Sequence, residues 1–222
     1  MNLVQARARV NGIFAQYEQK PGDAAQLVAP TFEAGKVYEA WVLAHVLAQL
    51  KSNEGLNVML VGGSRVSLRS SRGLLDRSYP HFRLSDHRRC FEVFTDVEFQ
   101  TMSAGSRRSG FSRGDFHELD IVMTDPAVPD RTRPPHSAVY LAVECKHTAY
   151  EKRMLRETLG VRRELSLLRR RPISTVFASW PRPSVPASPP SCLLVYTTDQ
   201  SVTNFRDPND LFGLDLEPLA AP

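Results

Sequence analysis

The sequence predicts one α/β domain, a mixed central β-sheet flanked by helices. Three observations carry this. Residues 35–50 form an almost wholly apolar run, opened by Pro30-Thr31 with Glu33 and closed before Ser52-Asn53-Glu54-Gly55, so a central helix is expected there. Residues 91–100, 117–123, 140–146 and 192–198 are rich in β-branched and aromatic residues and alternate as strands do. A second helical pattern, residues 149–171, lies between the last two of these strands and is stopped by Pro172. A chain of 222 residues that is 42% hydrophobic can bury one sizeable core, so a single domain is expected, with its core over residues 30–199.

The remaining elements follow in order. Residues 1–29 read as a short amphipathic helical extension with Val4, Val10, Ile13, Phe14 and Tyr17 apolar, broken at Lys20-Pro21-Gly22-Asp23. Residues 57–61 are a short strand. A polar, arginine-rich stretch then runs to Arg89. Its Gly62-Gly63-Ser64 lacks the spacing and following helix of a phosphate-cradling loop. Residues 102–115 hold Arg107, Arg108 and Arg113 among glycines and serines. They read as a mobile basic loop, either a grip for a phosphate backbone or a solvated hairpin tip. Residues 173–180 are expected as a strand, 181–190 as a stiff proline-rich connector, and 200–222 as an acidic tail.

Composition bounds the partners. The net charge is +4, and arginine supplies most of the positive side. Guanidinium forks match phosphate oxygens, which admits a polyanion without requiring one. Cys90, Cys145 and Cys192 show no zinc spacing and suit a reducing compartment. The N-terminus lacks a signal-peptide core and no apolar run spans a bilayer, so a cytoplasmic protein with no membrane partner is expected.

Charge in two of the strands points to chemistry. Alternation places Glu118 and Asp120 on one face of their strand, with Leu119, Ile121 and Met123 opposite. It sets Glu144 and Lys146 on one face of the next, with Leu141, Val143 and Cys145 turned to the core. Charges at the ends of otherwise buried strands must pair or hold a metal. Glu39 lies on the apolar stripe of Leu43, Val46 and Leu50, and needs either a cationic partner or an ion. Asp96 and Glu98 are further candidates for the cluster or for a solvated face.

This set of residues resembles the PD-(D/E)XK nuclease superfamily, whose restriction-endonuclease-like fold has an αβββαβ core. Asp120 stands at the superfamily's aspartate and Glu144-Cys145-Lys146 at its (D/E)-x-K. Leu119 occupies the nominal proline position, and no glutamine follows Lys146 in the pattern of some exonuclease branches. The resemblance implies magnesium-dependent cleavage of nucleic acid by a DNA endonuclease, with manganese able to substitute. Small members often serve in defence against foreign DNA.

The residue chemistry points the same way. Magnesium takes one or two carboxylates, waters and substrate phosphate. Asp120, Glu144 and the backbone carbonyl of Cys145 supply hard oxygens, and Glu39 can hold a metal-bound water or a second ion. Lys146 can orient the attacking water, stabilise the developing anion, or serve as a base if a nearby metal lowers its pKa. A buried Asp120–Lys146 ion pair on an inert sheet is the structural alternative. Two other functions stay open: a catalytically inactive subunit that binds nucleic acid or a protein partner, and a hydrolase of another substrate. Cleavage of both strands by one small site would favour a homodimer.

Overall fold

A computed structural model of the chain describes residues 2–17, 33–69, 71–105, 111–168, 175–181 and 187–221, with the side chains of 208–210 excluded. Helix α1 (Leu3–Phe14) packs Ala6, Val10 and Phe14 against α2 (Ala34–Glu54), and α2 is stopped by Gly55 in the left-handed region at φ 67°. Strands β1 (Asn57–Val61), β2 (His81–Ser85), β3 (Cys90–Gln100), β4 (Phe116–Thr124) and β5 (Val139–Lys146) follow, with the one-turn helix α3 (Met102–Gly105) between β3 and β4. Next come α4 (Lys152–Leu165), a two-residue ladder of β6 (Leu167–Leu168) and β7 (Ala187–Ser188), β8 (Cys192–Thr197), α5 (Arg206–Phe212) and β9 (Leu214–Pro218).

The main sheet has the order β1-β2-β3-β4-β5-β8-β9. Strands β1 to β5 pair antiparallel, while β5, β8 and β9 are parallel. The fold is therefore mixed α/β, and it contains the run α2, β3, β4, β5, α4, β8 in the expected αβββαβ order. One face of the sheet packs on α1 and α2, and the other on α4 and the segment around Val202.

Several elements differ from the sequence expectation. β2 lies inside the stretch read as polar and arginine-rich, and β9 is built from the tail. Helix α4 ends at Leu165 rather than running to 171. Ser166 is extended at ψ 155°, and Leu167–Leu168 pair with β7 instead of continuing the helix. The expected strand at 173–180 is absent over 175–180, and its first two residues lie outside the described segments. The N–H groups of Ala178, Ser179 and Trp180 point instead at the buried carboxylate of Glu54. The basic loop's Arg107 and Arg108 lie outside the described residues. Arg113 opens a short 3-10 turn leading into β4.

One departure shapes the site. The β3–β4 ladder pairs Thr95 with Ile121 and Val97 with Leu119, and the residues between, Asp96 and Asp120, form no regular pair. Asp96 sits at φ 54°, a conformation costly for a residue with a Cβ. Alternation changes side at this level. Phe91 and Val93 face the α2 layer, yet Val97 and Phe99 face the α4 layer. β4 does the same: Ile121 and Met123 lie in the α2 core, while Leu119 packs in the α4 core and not beside them, as regular alternation had required.

Candidate active site

The pairing of β4 with β5 ends at Ile121–Val143, and beyond it the two strands part. The Cys145 N–H, which β4 would otherwise receive, donates to Oδ2 of Asp120 at 2.6 Å. In a strand the N–H and C=O of one residue point to the same side, so the Cys145 carbonyl also faces this fork. Sequence spacing and geometry thus agree in bringing Asp120 to the Glu144-Cys145-Lys146 segment.

Glu144 follows Ala142 on the α4 side of β5 and is 8% exposed. Its Oε2 accepts from Nζ of Lys146 at 2.8 Å. Lys146 pairs with Glu144, its neighbour on the same strand face, and not with Asp120. Glu39 reaches the site from α2. It is held by Lys36, one helical turn earlier, and the same Nζ binds Oδ1 of Asp96. Lys36 is the member not foreseen from sequence; Asp96, one of the further candidates, joins the cluster through it. The i, i+3 spacing of Lys36 and Glu39 was a readable signal, whereas the inward turn of Asp96 depends on a backbone conformation that its pattern hides. Oδ2 of Asp96 is buried and has no hydrogen-bond partner among the described residues. Glu118 lies at the rim, 3.6 Å from Nη1 of Arg72, which also approaches Glu98 at 3.8 Å.

The electrostatics express an excess of negative charge. Burial, then the Asp120 charge, pushes Glu39 up to about 7 against the pull of Lys36. Burial and Asp120 likewise raise Glu144, against Lys146. Asp120 itself is raised by burial, which outweighs the Cys145 N–H, and the Asp96 charge adds to the rise. Glu118 is raised by burial and by its acidic neighbours. Lys146 is raised although burial works against it, because Glu144 and Asp120 hold its proton. It is thus an ammonium at neutral pH, able to donate hydrogen bonds and not to act as a base in this arrangement.

These donors suit a hard dication in kind: all are oxygens, one is a buried orphan, and the raised carboxylates call for more positive charge than two lysines supply. Among the described residues, however, no three His, Cys, Asp or Glu side chains already converge as a ligand group. Lys36 pairs with Glu39 and Asp96, and Lys146 with Glu144, instead.

Comparison with known proteins adds little. No protein-family model matches the chain, and neither does any curated protein. Two solved structures show a distant likeness. The NucC protein of P. aeruginosa ATCC27853 in its cAAA-bound form is 14% identical, with a TM-score of 0.30 over 90% of this chain. The cAAA-bound NucC of E. coli MS115-1 is 12% identical, with a TM-score of 0.28 over 89%. This chain spans 64% of the length of each. Similarity at that level carries no functional argument. Among the described residues no helix is long and apolar enough to cross a membrane.

Proposed function

We propose that the chain is a magnesium-dependent nuclease that hydrolyses phosphodiester bonds, with DNA as the first substrate to test. The observation that carries this reading is the fork between β4 and β5, where Asp120 is fixed on the Cys145 N–H beside Glu144 and Lys146. Asp120, Glu144 and the Cys145 carbonyl would hold the ion, and Glu39 a water on it. Magnesium, when bound, would neutralise charge on the scissile phosphate and acidify the attacking water. The protein's own groups do the rest. Lys146, released from Glu144, donates to the water or to the anion that develops on phosphate. Asp120 keeps its orientation through the backbone N–H. Arg72, 67% exposed at the rim beside Glu118, and the exposed Arg113 would meet neighbouring phosphates. A pair of such sites in a dimer would cut both strands, and defence against foreign DNA would be a fitting role.

Plasmid nicking tests the reading directly. Cleavage is expected with magnesium or manganese and none with EDTA. The pairing of both lysines with the acids favours one second reading, a nucleic-acid-binding subunit without catalysis. That reading predicts binding that falls with salt and ignores magnesium.

The raised carboxylates make metal binding pH-dependent. A proton must leave Glu144 before an ion can take its place, and Glu39 must be ionised to hold a water on that ion. The rise in melting temperature on adding magnesium is therefore expected to be small near pH 6, to grow as pH passes through about 7, and to level off above pH 8. Half-buried His45, His136 and His147 are held towards the neutral form by burial, so acid destabilises the protein through them with or without the ion. The magnesium-induced shift, measured by scanning calorimetry, isolates the carboxylates. A shift independent of pH would count against them as ligands.

A further inference from the structure

The acidic fork contains one cation that the proposed chemistry leaves without a task. Nζ of Lys36 donates to Oε2 of Glu39 and to Oδ1 of Asp96, tying the first turn of α2 to the left-handed residue of β3. This is no surface ion pair: the side chains of Lys36, Glu39 and Asp96 are 14%, 18% and 6% exposed. Burial works to strip Lys36 of its proton, but Glu39 and Asp96 outweigh it and the ammonium persists. The Asp120 charge acts on Glu39, and Asp96 and Lys36 act on Asp120 in turn. The ammonium thus stands in the same cluster as the carboxylate proposed to hold magnesium.

Charge limits how many ions such a cluster admits. When ionised, Glu39, Asp96, Asp120 and Glu144 are four negative charges, and Lys36 and Lys146 are two positive ones. The remainder is the charge of one dication. A second dication would leave the buried cluster with net positive charge and nothing to offset it. Two-ion sites also need oxygens that reach both ions across about 4 Å. On the α2 side of Asp120 one oxygen of Glu39 and one of Asp96 are already taken by Lys36.

We infer that the Lys36 ammonium stands in for a second metal ion, so that the site takes a single divalent cation on Asp120 and Glu144. Glu39 then meets that ion through a water, and Asp96 is bound to the ammonium and not to metal. The inference rests on the nuclease reading and fixes its ion count at one per chain. It makes Lys36 a positioning residue: its charge holds Glu39 and Asp96 in place with no second ion to do so.

Manganese, titrated into the full chain and followed by calorimetry and electron paramagnetic resonance, counts the ions. The parent is expected to bind one per chain, with the resolved hyperfine lines of an isolated ion. Lys36→Gln keeps a hydrogen-bond donor between the two acids and removes the charge. It is expected to bind two, its spectrum broadened by coupling between ions about 4 Å apart. Lys36→Arg keeps the charge and should bind one. A purely structural lysine would leave the count at one in every variant. Amine acetylation of the parent, read by mass spectrometry, decides the matter if Lys36→Gln does not fold. Lys36 should react slowly, and equally so with or without saturating magnesium, because the ammonium stays between its acids. Two ions in the parent, one in folded Lys36→Gln, or acetylation of Lys36 faster by about tenfold in magnesium would overturn the inference. None of those results touches the nuclease reading, which fails on a different one: a parent that binds no manganese and nicks no plasmid, and the inference falls with it.

Discussion

Asp120→Asn is expected to remove nuclease activity while leaving the protein folded. The amide oxygen can still accept from the Cys145 N–H, so the fork keeps its shape. What disappears is the negative charge, and with it a direct ligand. If magnesium contributes several kcal/mol to the charge developing on phosphate, its loss corresponds to a rate reduction of about 10²–10⁴-fold. Burial and the Asp96 charge already disfavour the ionised form of Asp120, so a neutral isostere should not lower the melting temperature. Initial rates of plasmid nicking, read beside a thermal melt, check both halves. An undiminished rate in a folded Asp120→Asn protein would refute the proposed role.

Glu54→Ala is expected to cause the largest loss of stability. The Glu54 side chain is fully buried at the end of α2. Its carboxylate accepts the N–H groups of Ala178 and Trp180 at 2.8 and 2.7 Å, that of Ser179, and Nη1 of Arg89 at 2.7 Å. Burial alone would raise its pKa, but these donors outweigh it and hold it below the ordinary value. Truncation leaves three backbone donors without their acceptor and takes from Arg89 one of its two carboxylate partners, Asp86 being the other, a loss of about 3–5 kcal/mol. For a domain of this size that is a fall of roughly 6–20 °C in melting temperature. Because the folded-state pKa is depressed, this stability is present above the ordinary glutamate pKa and is lost as pH falls through the lowered value. The difference between parent and variant should therefore narrow in acid. A drop of less than about 1 kcal/mol near neutrality would show that other contacts anchor the 178–180 segment.

The strongly patterned parts of the fold were legible from residues alone. The apolar run of α2 has no stable alternative to a buried helix, and the alternation of β3, β4, β5 and β8 fixed their type. Asp120, Glu144 and Lys146 could be grouped because period-two spacing on neighbouring strands needs no further information. The misreadings have physical causes. β2 carries His81, Arg83 and Ser85 among its residues, and its pairing partners are what make it a strand. α4 stops early because Leu167–Leu168 find a ladder in a distant segment. Residues 175–180 look like a strand, but a glutamate far away in sequence takes the N–H groups a neighbouring strand would have used. Lys36 was passed over because a helical lysine beside an acid usually faces water. Asp96 was placed on a regular strand because nothing in its neighbours announces a left-handed residue.

The crossover of β3 and β4 has an evolutionary consequence. At that seam the side chains pack in neither hydrophobic layer, so residue identity there answers to charge and to the backbone turn at Asp96 rather than to core packing. Acids could be gained, exchanged or lost at Asp96 and Asp120 without rebuilding either core. A scaffold of this kind can acquire a new reaction, or let one lapse, with its folding left nearly untouched.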